Sequence, residues 1–467
     1  MNILQQLENS IISADKLQAD GVNSASIAVL EDGQISRRVI TKGSENTETV
    51  YQACSISKPI TALAVARLVD EHRLSYDTKV IDRLPDSVIA NITDKKTAHL
   101  MEYVTVGMLL SHTSGLSQHG FIGYANEPPS AGKCLSGKHP SNSLKVHFKS
   151  FPGATFSYSG GGYTVLQIFL ENLLEKPFAD IMHEVVLKPL SMTRSWYSDL
   201  PSNEMNYAKA HYTGYTATRA EYHHFPELAA AGLWTTPTDL LKAIAAVQES
   251  LYTESGFLKQ DTAKKMLTEV GRMGSGSIMT YGWGLNDAIF AHAGSSDPGY
   301  ECYVFGFHGG YANTKDTGDR SKRRDGIAIM TNSQEGLERA IRQMISATFF
   351  QKGWERINAR LPYGGESDFV PYAAPAGTDV DSAWKNWKGK WDSDWELLDR
   401  DGPAWNYKSF PLMRLVPAAA PCVARPNGDK EVILVVDGLD IGVRLTWEED
   451  TRVIKLLGDD AKTFNQT

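Results

Sequence analysis

Residues 51–69 read YQACSISKPITALAVARLV. The apolar positions predict a helix over 55–74 that is buried through its middle, with polar side chains gathered at its N-terminal mouth. Ser55 and Lys58, three residues apart, project from one face of such a helix. A lysine buried there loses solvation and stands near the positive end of the helix, and both influences favour its neutral amine. That amine can take the proton of Ser55, so lysine stands in for histidine as the partner of an activated serine. The competing reading makes Ser55 or Ser57 a helix cap and Lys58 an exposed cation. The spacing S-x-x-K does not decide alone, because Ser13/Lys16, Ser130/Lys133 and Ser382/Lys385 also match. Only Ser55 opens a long apolar helix.

Composition narrows the function. The 467-residue chain exceeds the usual domain of roughly 100 to 200 residues, so two or three units are expected. Its 42% hydrophobic and 22% charged residues are ordinary for a globular protein, and a net charge of -8 gives no footprint for nucleic acid or anionic lipid. No stretch approaches the roughly 20 apolar residues of a membrane span. Ile3, Leu4, Leu7, Ile11 and Ile12 recur at helical spacing without a basic region before them, so residues 1–20 read as a surface helix rather than a signal peptide. The expected location is cytoplasmic, with a mature exported form as the alternative. Cys54, Cys134, Cys302 and Cys422 lack paired spacing and read as free thiols. His223 and His224 have no third ligand at metal spacing, and no phosphate-cradling loop is present, so no metal or cofactor is expected.

Hydrophobic periodicity lays out the rest. Asp32-Gly33 between alternating runs predicts a hairpin. Residues 118–153, rich in Gly, Pro, Ser and Lys, read as a long loop or flap. Helical patterns follow at 163–174, 178–187 and 237–249, strand-like runs at 284–292, 301–307 and 326–331, and a helix-like stretch at 336–350. The expected domains are 1–365, a linker at 366–378, and a small β-rich accessory domain at 379–467. In that tail Trp384, Trp387, Trp391 and Trp395 are expected to anchor a core against the main domain rather than to bind a ligand.

Further motifs change the weight of Ser55. The helix mouth is followed in order by LLSHTSGL (109–116), PGATFSYSGGGYTVLQ (152–167), LKPLSMTRSWY (187–197), AAAGLWTTPTDL (229–240), YGWGL (281–285) and HAGSSDPGY (292–300). Over about residues 20–350 the chain resembles the serine hydrolases related to class C β-lactamases and D-alanyl-D-alanine peptidases, including penicillin-binding-protein-like, esterase, D-aminopeptidase and transesterase branches. The resemblance implies an α+β β-lactamase/transpeptidase fold, in which an antiparallel sheet of N-terminal and late strands is flanked by helices, with an all-α region between. It implies Ser55 as acylated nucleophile, Lys58 as base, and Tyr158 as the tyrosine that shuttles protons. His292-Ala293-Gly294 matches the family's Lys-Thr-Gly strand. The backbone N–H groups of Ser55 and Ser295 would then form the oxyanion hole, on an edge strand of small residues.

Two positions depart from the pattern. Gly160 stands where many relatives carry asparagine, and His292 replaces a lysine that attracts a substrate carboxylate. These departures favour a small-molecule ester, or another amide, over β-lactams and C-terminal peptides, and asparagine at 160 is expected to raise activity toward amides. The alternatives are a D-amino acid peptidase or amidase, a β-lactamase, and an inactive binding protein that keeps the fold. His112 reads as a loop-bracing residue.

Overall fold

The computed structural model describes residue 4 and residues 13–345 except 32, 155, 212–219, 273–277, 286–288, 297–298, 309–323, 335, 337–339 and 342–343. Beyond 345 it describes 382–391, 395–400, 402–407, 413–424, 430–436, 442–448, 451–457 and 463–465. The chain divides into two compact units, Met1–Ile345 and Ser346–Thr467. The expected linker at 366–378, most of the N-terminal helix and much of 336–350 lie outside the described residues.

The first unit is built on an antiparallel sheet. Strands β1 (Ser24–Glu31) and β2 (Gln34–Thr41) pair down to Glu31 and Gln34, with Gly33 at φ +80°, a turn conformation open to glycine. The short pair β3 (Tyr51–Gln52) and β4 (Trp234–Thr235) stands apart. Strands β5 (Gly271–Arg272), β6 (Ile278–Met279), β7 (Gly284–Leu285), β8 (Ile289–Ser296), β9 (Tyr300–Phe307) and β10 (Gly326–Thr331) complete eight strands in the order β2-β1-β10-β9-β8-β7-β6-β5. Joining β1 to β10 closes the N-terminal hairpin onto the late strands. Strands β9 and β10 are buried at every position, as strands covered on both faces must be.

Four helices matter for the site: α1 (Ser57–Asp70), α2 (Gly160–Leu174), α3 (Leu228–Ala231) and α4 (Pro237–Ser250). Pro237 opens α4 behind the Thr236 cap, whose hydroxyl accepts from the Asp239 N–H. Ile244 of α4 packs where Gly306 and Gly326 leave no side chain on the sheet. Ser159 caps α2, accepting from the Gly162 N–H at 2.8 Å. Segment 118–153 is more built than a loop. It holds a helical turn, Ala131–Leu135, and buries Cys134, Leu135 and Val146, while Tyr124 bridges to His224.

Glu227, just before α3, is fully buried. No donor meets hydrogen-bond geometry at its carboxylate among the described residues, although the Cys134 thiol lies close enough to interact. Burial pushes its pKa from 4.5 up to about 7. The folded chain therefore holds a proton that the unfolded chain has released between those values, so this group lowers stability as pH rises from about 4.5 to about 7. The full penalty is roughly 3 kcal/mol. Glu227→Gln should raise the thermal midpoint at pH 8 and change it little at pH 4.5. An equal shift at both pH values would contradict this account of Glu227.

The second unit is an eight-stranded antiparallel meander in which each strand pairs with the next. Trp384, Trp387 and Trp391 pack with Leu397, Trp405 and Leu434 in its own core. The Trp391 indole N–H donates to the Trp387 carbonyl at 2.9 Å. The side chain of Trp395 lies outside the described residues.

Candidate active site

The helix expected from residue 55 begins at Ser57, and Ser55 rides on a 3-10 turn, Cys54–Ile56, in front of it. Cys54 takes a left-handed φ of +49°, a conformation that costs about 1–3 kcal/mol and persists only where its surroundings hold it. Those holds are visible. Ser57 Oγ donates to the Cys54 carbonyl at 2.6 Å and accepts from the Leu233 N–H at 3.0 Å, while the Tyr197 hydroxyl donates to the Ser57 carbonyl at 2.6 Å. Ser57 is thus a buried brace, and Ser55 is left partly exposed.

Lys58 is 1% exposed. Its Nζ donates to Ser55 Oγ at 3.0 Å and to the Ala230 carbonyl of α3 at 2.9 Å. Burial lowers the amine from 10.5 to about 7, because the desolvated site disfavours the charged form. The other S-x-x-K matches lack this setting. Ser13 caps a helix while Lys16 pairs with Asp20, and Ser130 stands at a helix N-terminus with Lys133 exposed.

The Tyr158 ring lies 4.9 Å from Lys58 Nζ, and its hydroxyl is close enough to Ser55 for the two to interact. Burial raises the phenol above its usual range, so it remains an O–H donor. His112 stacks on this ring at 4.2 Å, and its Nδ1 accepts from the Ser159 N–H at 3.0 Å. Its carbonyl accepts from the Ser157 N–H. His112 therefore braces the loop that carries Tyr158.

Strand β8 closes the opposite side. A Cβ on Gly294 would stand 2.3 Å from the Ala53 carbonyl oxygen, so only glycine lets β8 lie against the turn that carries Ser55. β8 is an interior strand rather than an edge. However, β7 pairs only with Phe290 and Ala291, so His292 to Ser296 run past it. His292 is buried, and its Nδ1–H donates to the Ala293 carbonyl at 2.5 Å. Burial, with Lys58 nearby, lowers it to about 3, which makes it a neutral imidazole. Ser295 is exposed and donates from Oγ to Glu301 at 2.7 Å.

Gly160 is closely packed. A Cβ there would lie 2.9 Å from the Phe121 ring and 3.0 Å from the His119 carbonyl. Asparagine there would reach its position only if the Phe121 ring moved and the His119 backbone gave slightly.

Ser55, Lys58 and Tyr158 meet at the helix mouth, with the His292 ring 6.4 Å from that of Tyr158 and Gly294 packed on Ala53. A match to the beta-lactamase family model runs over residues 12–346. The chain belongs to the beta-lactamase family. This family of serine hydrolases has the β-lactamase/transpeptidase fold described above. Penicillin-binding protein 4 of Amycolatopsis lactamdurans is 29% identical over 180 residues, covering 37% of this chain and 44% of that protein. The chain thus matches less than half the length of that curated relative. The octameric penicillin-binding protein homologue from Pyrococcus abyssi superposes with a TM-score of 0.60 at 19% identity, covering 99% of this chain and all (100%) of that one. D-amino acid amidase from Ochrobactrum anthropi SV3 gives 0.58 at 17% identity, covering 75% of this chain and 100% of that one. At such identity these two likenesses concern the fold.

Three contacts escaped the sequence: the Ala230 carbonyl on Lys58, Glu301 beside Ser295, and His119 against Tyr158. Each depends on a pairing across the fold, and local pattern carries no signal for it. His223 and His224 do not act together, since His223 meets the Ile122 carbonyl and His224 meets Asp199. Among the described residues no three His, Cys, Asp or Glu side chains gather as metal ligands. No helix of the described residues is long and apolar enough to cross a membrane.

Proposed function

We propose that the protein is a serine hydrolase or acyltransferase that works through an acyl-enzyme on Ser55, with esters of small molecules as its preferred substrates. The observation that carries this is the Lys58 amine, 3.0 Å from Ser55 Oγ and lowered by burial to about 7. Ser55 Oγ attacks the carbonyl carbon as its proton passes to neutral Lys58. The Tyr158 hydroxyl, beside Ser55, relays a proton onto the leaving oxygen or nitrogen. The N–H groups of Ser55 and Ser295 receive the oxyanion, and water or another hydroxyl or amine resolves the acyl-enzyme.

Charge supports the ester preference. His292 is neutral and supplies no fixed cation, and Glu301 beside Ser295 disfavours a substrate carboxylate. Penicillins and D-alanyl peptides carry such a carboxylate. The same Glu301 favours a second reading, amides with a free amino group, and a D-amino acid amidase stands among the structural neighbours. Competition in one assay tests the order. Short-chain p-nitrophenyl esters should exceed a chromogenic cephalosporin and D-alanyl-D-alanine in kcat/KM by at least about tenfold, the scale of one lost charge contact. A cephalosporin or D-alanyl peptide turned over faster than every ester would overturn the preference, and D-amino acid amides leading would install the second reading.

A further inference from the structure

His119 lies against Tyr158 and has no part in the steps above. Its side chain is exposed, and its ring centroid lies 4.6 Å from that of Tyr158, tilted by 37°. Backbone holds it there. The Gly160 N–H donates to the His119 carbonyl and the Gly161 N–H to the Gln118 carbonyl, both at 3.1 Å. These first-turn amides of α2 have no partner within the helix, so the 118–153 segment satisfies them.

The glycines make that docking possible. A Cβ on Gly161 would stand 2.7 Å from the Ser117 carbonyl, and one on Gly160 would meet the His119 carbonyl and the Phe121 ring. A side chain at 161 would meet this backbone, and one at 160 would need the Phe121 ring to move and the His119 carbonyl to give slightly. The space a side chain at 160 would fill is therefore taken by His119 and its partly exposed neighbour Phe121. Partial burial of the ring, with Lys58 and Lys149 nearby, keeps His119 below its usual value, so at neutral pH it is an uncharged flat ring. Standing against the Tyr158 ring, it offers an aromatic shelf beside the reacting centre.

We propose that His119 is a specificity-determining residue that contacts the acyl part of the substrate and favours acyl groups with a planar apolar body over acetyl. The inference rests on the Ser55 reading, since it assumes that the acyl group is held beside Tyr158. Ring stacking gives it its scale, about fivefold to tenfold in rate. A flat acyl group lies on the imidazole while its carbonyl reaches Ser55, and an acetyl group ends short of the shelf.

The test compares p-nitrophenyl phenylacetate with p-nitrophenyl acetate on wild type, His119→Ala, His119→Gln and His119→Phe. His119→Ala should lose about fivefold to tenfold in kcat/KM for the phenylacetyl ester, chiefly through KM, and less than about twofold for acetate. His119→Phe should restore the phenylacetyl advantage, and His119→Gln should not. All four keep the carbonyl that anchors the segment, so each should fold. Equal losses on both esters in kcat would overturn the proposal and make His119 a positioning residue for Tyr158. An unchanged ratio in every variant would also overturn it. Fluorophosphonate labelling of the wild type separates the two levels. Without Ser55-dependent labelling the Ser55 reading fails, whereas labelling with an unchanged ester ratio defeats the shelf alone.

Discussion

Ser55→Ala should abolish turnover, by on the order of 10^5-fold to 10^6-fold, and should leave the thermal midpoint within about 3 °C of wild type. The hydroxyl is the atom on which Lys58 and Tyr158 both converge, so its removal takes away the group that carries the acyl intermediate. It is partly exposed and packs against nothing that alanine would not also meet. Ser57→Ala makes the contrasting control. That hydroxyl joins the Cys54 carbonyl to the Leu233 N–H inside the protein, and leaving both unpaired should cost about 1–3 kcal/mol of stability. Fluorophosphonate labelling followed by p-nitrophenyl ester hydrolysis reads both variants. Near-normal turnover by Ser55→Ala would move the nucleophile elsewhere, with Cys54 and Ser57 the neighbours to examine.

The fold was legible where the chemistry of a segment is local. The β1–β2 hairpin follows from a glycine turn between alternating runs, and α4 from the helical apolar pattern over 237–249. Strand β10 spans residues 326–331 as its unbroken apolar run predicts. Ser55 and Lys58 could be read together because a helix mouth brings them within reach. The start of α1 could not, since Cys54 in a left-handed conformation converts the first turn to 3-10, and the braces that enforce it come from Tyr197 and Leu233. Gly160 shows the same limit. In sequence it is an asparagine lost, and in space it is room for the His119 carbonyl, which comes from a loop some forty residues earlier. Glu301 could be placed beside Ser295 only once the β8–β9 register was known.

Lys58 should set the pH dependence. Its neutral amine is the form that accepts the Ser55 proton, and burial has brought it to about 7. The active fraction therefore grows as pH rises, so kcat/KM for a p-nitrophenyl ester should climb tenfold per pH unit below about 7 and level off above it. Tyr158 and His292 do not interrupt that rise, since the phenol is raised above its usual range and the imidazole is already neutral. Lys58→Ala should lose roughly 10^4-fold and flatten the limb, and Lys58→Arg should not rescue it, because a guanidinium keeps its proton. Tyr158→Phe should also lose orders of magnitude yet keep the limb, since the lysine that titrates is still present. Glu227 also titrates near 7, where its ionisation loosens the fold around α3. The two differ in sign: ionising Glu227 weakens the protein as pH rises, whereas deprotonating Lys58 activates it. Glu227→Gln should thus keep the ascending limb at the same midpoint. A limb that vanishes in Glu227→Gln, or survives in Lys58→Ala, would mean that another group delivers the proton transfer at Ser55.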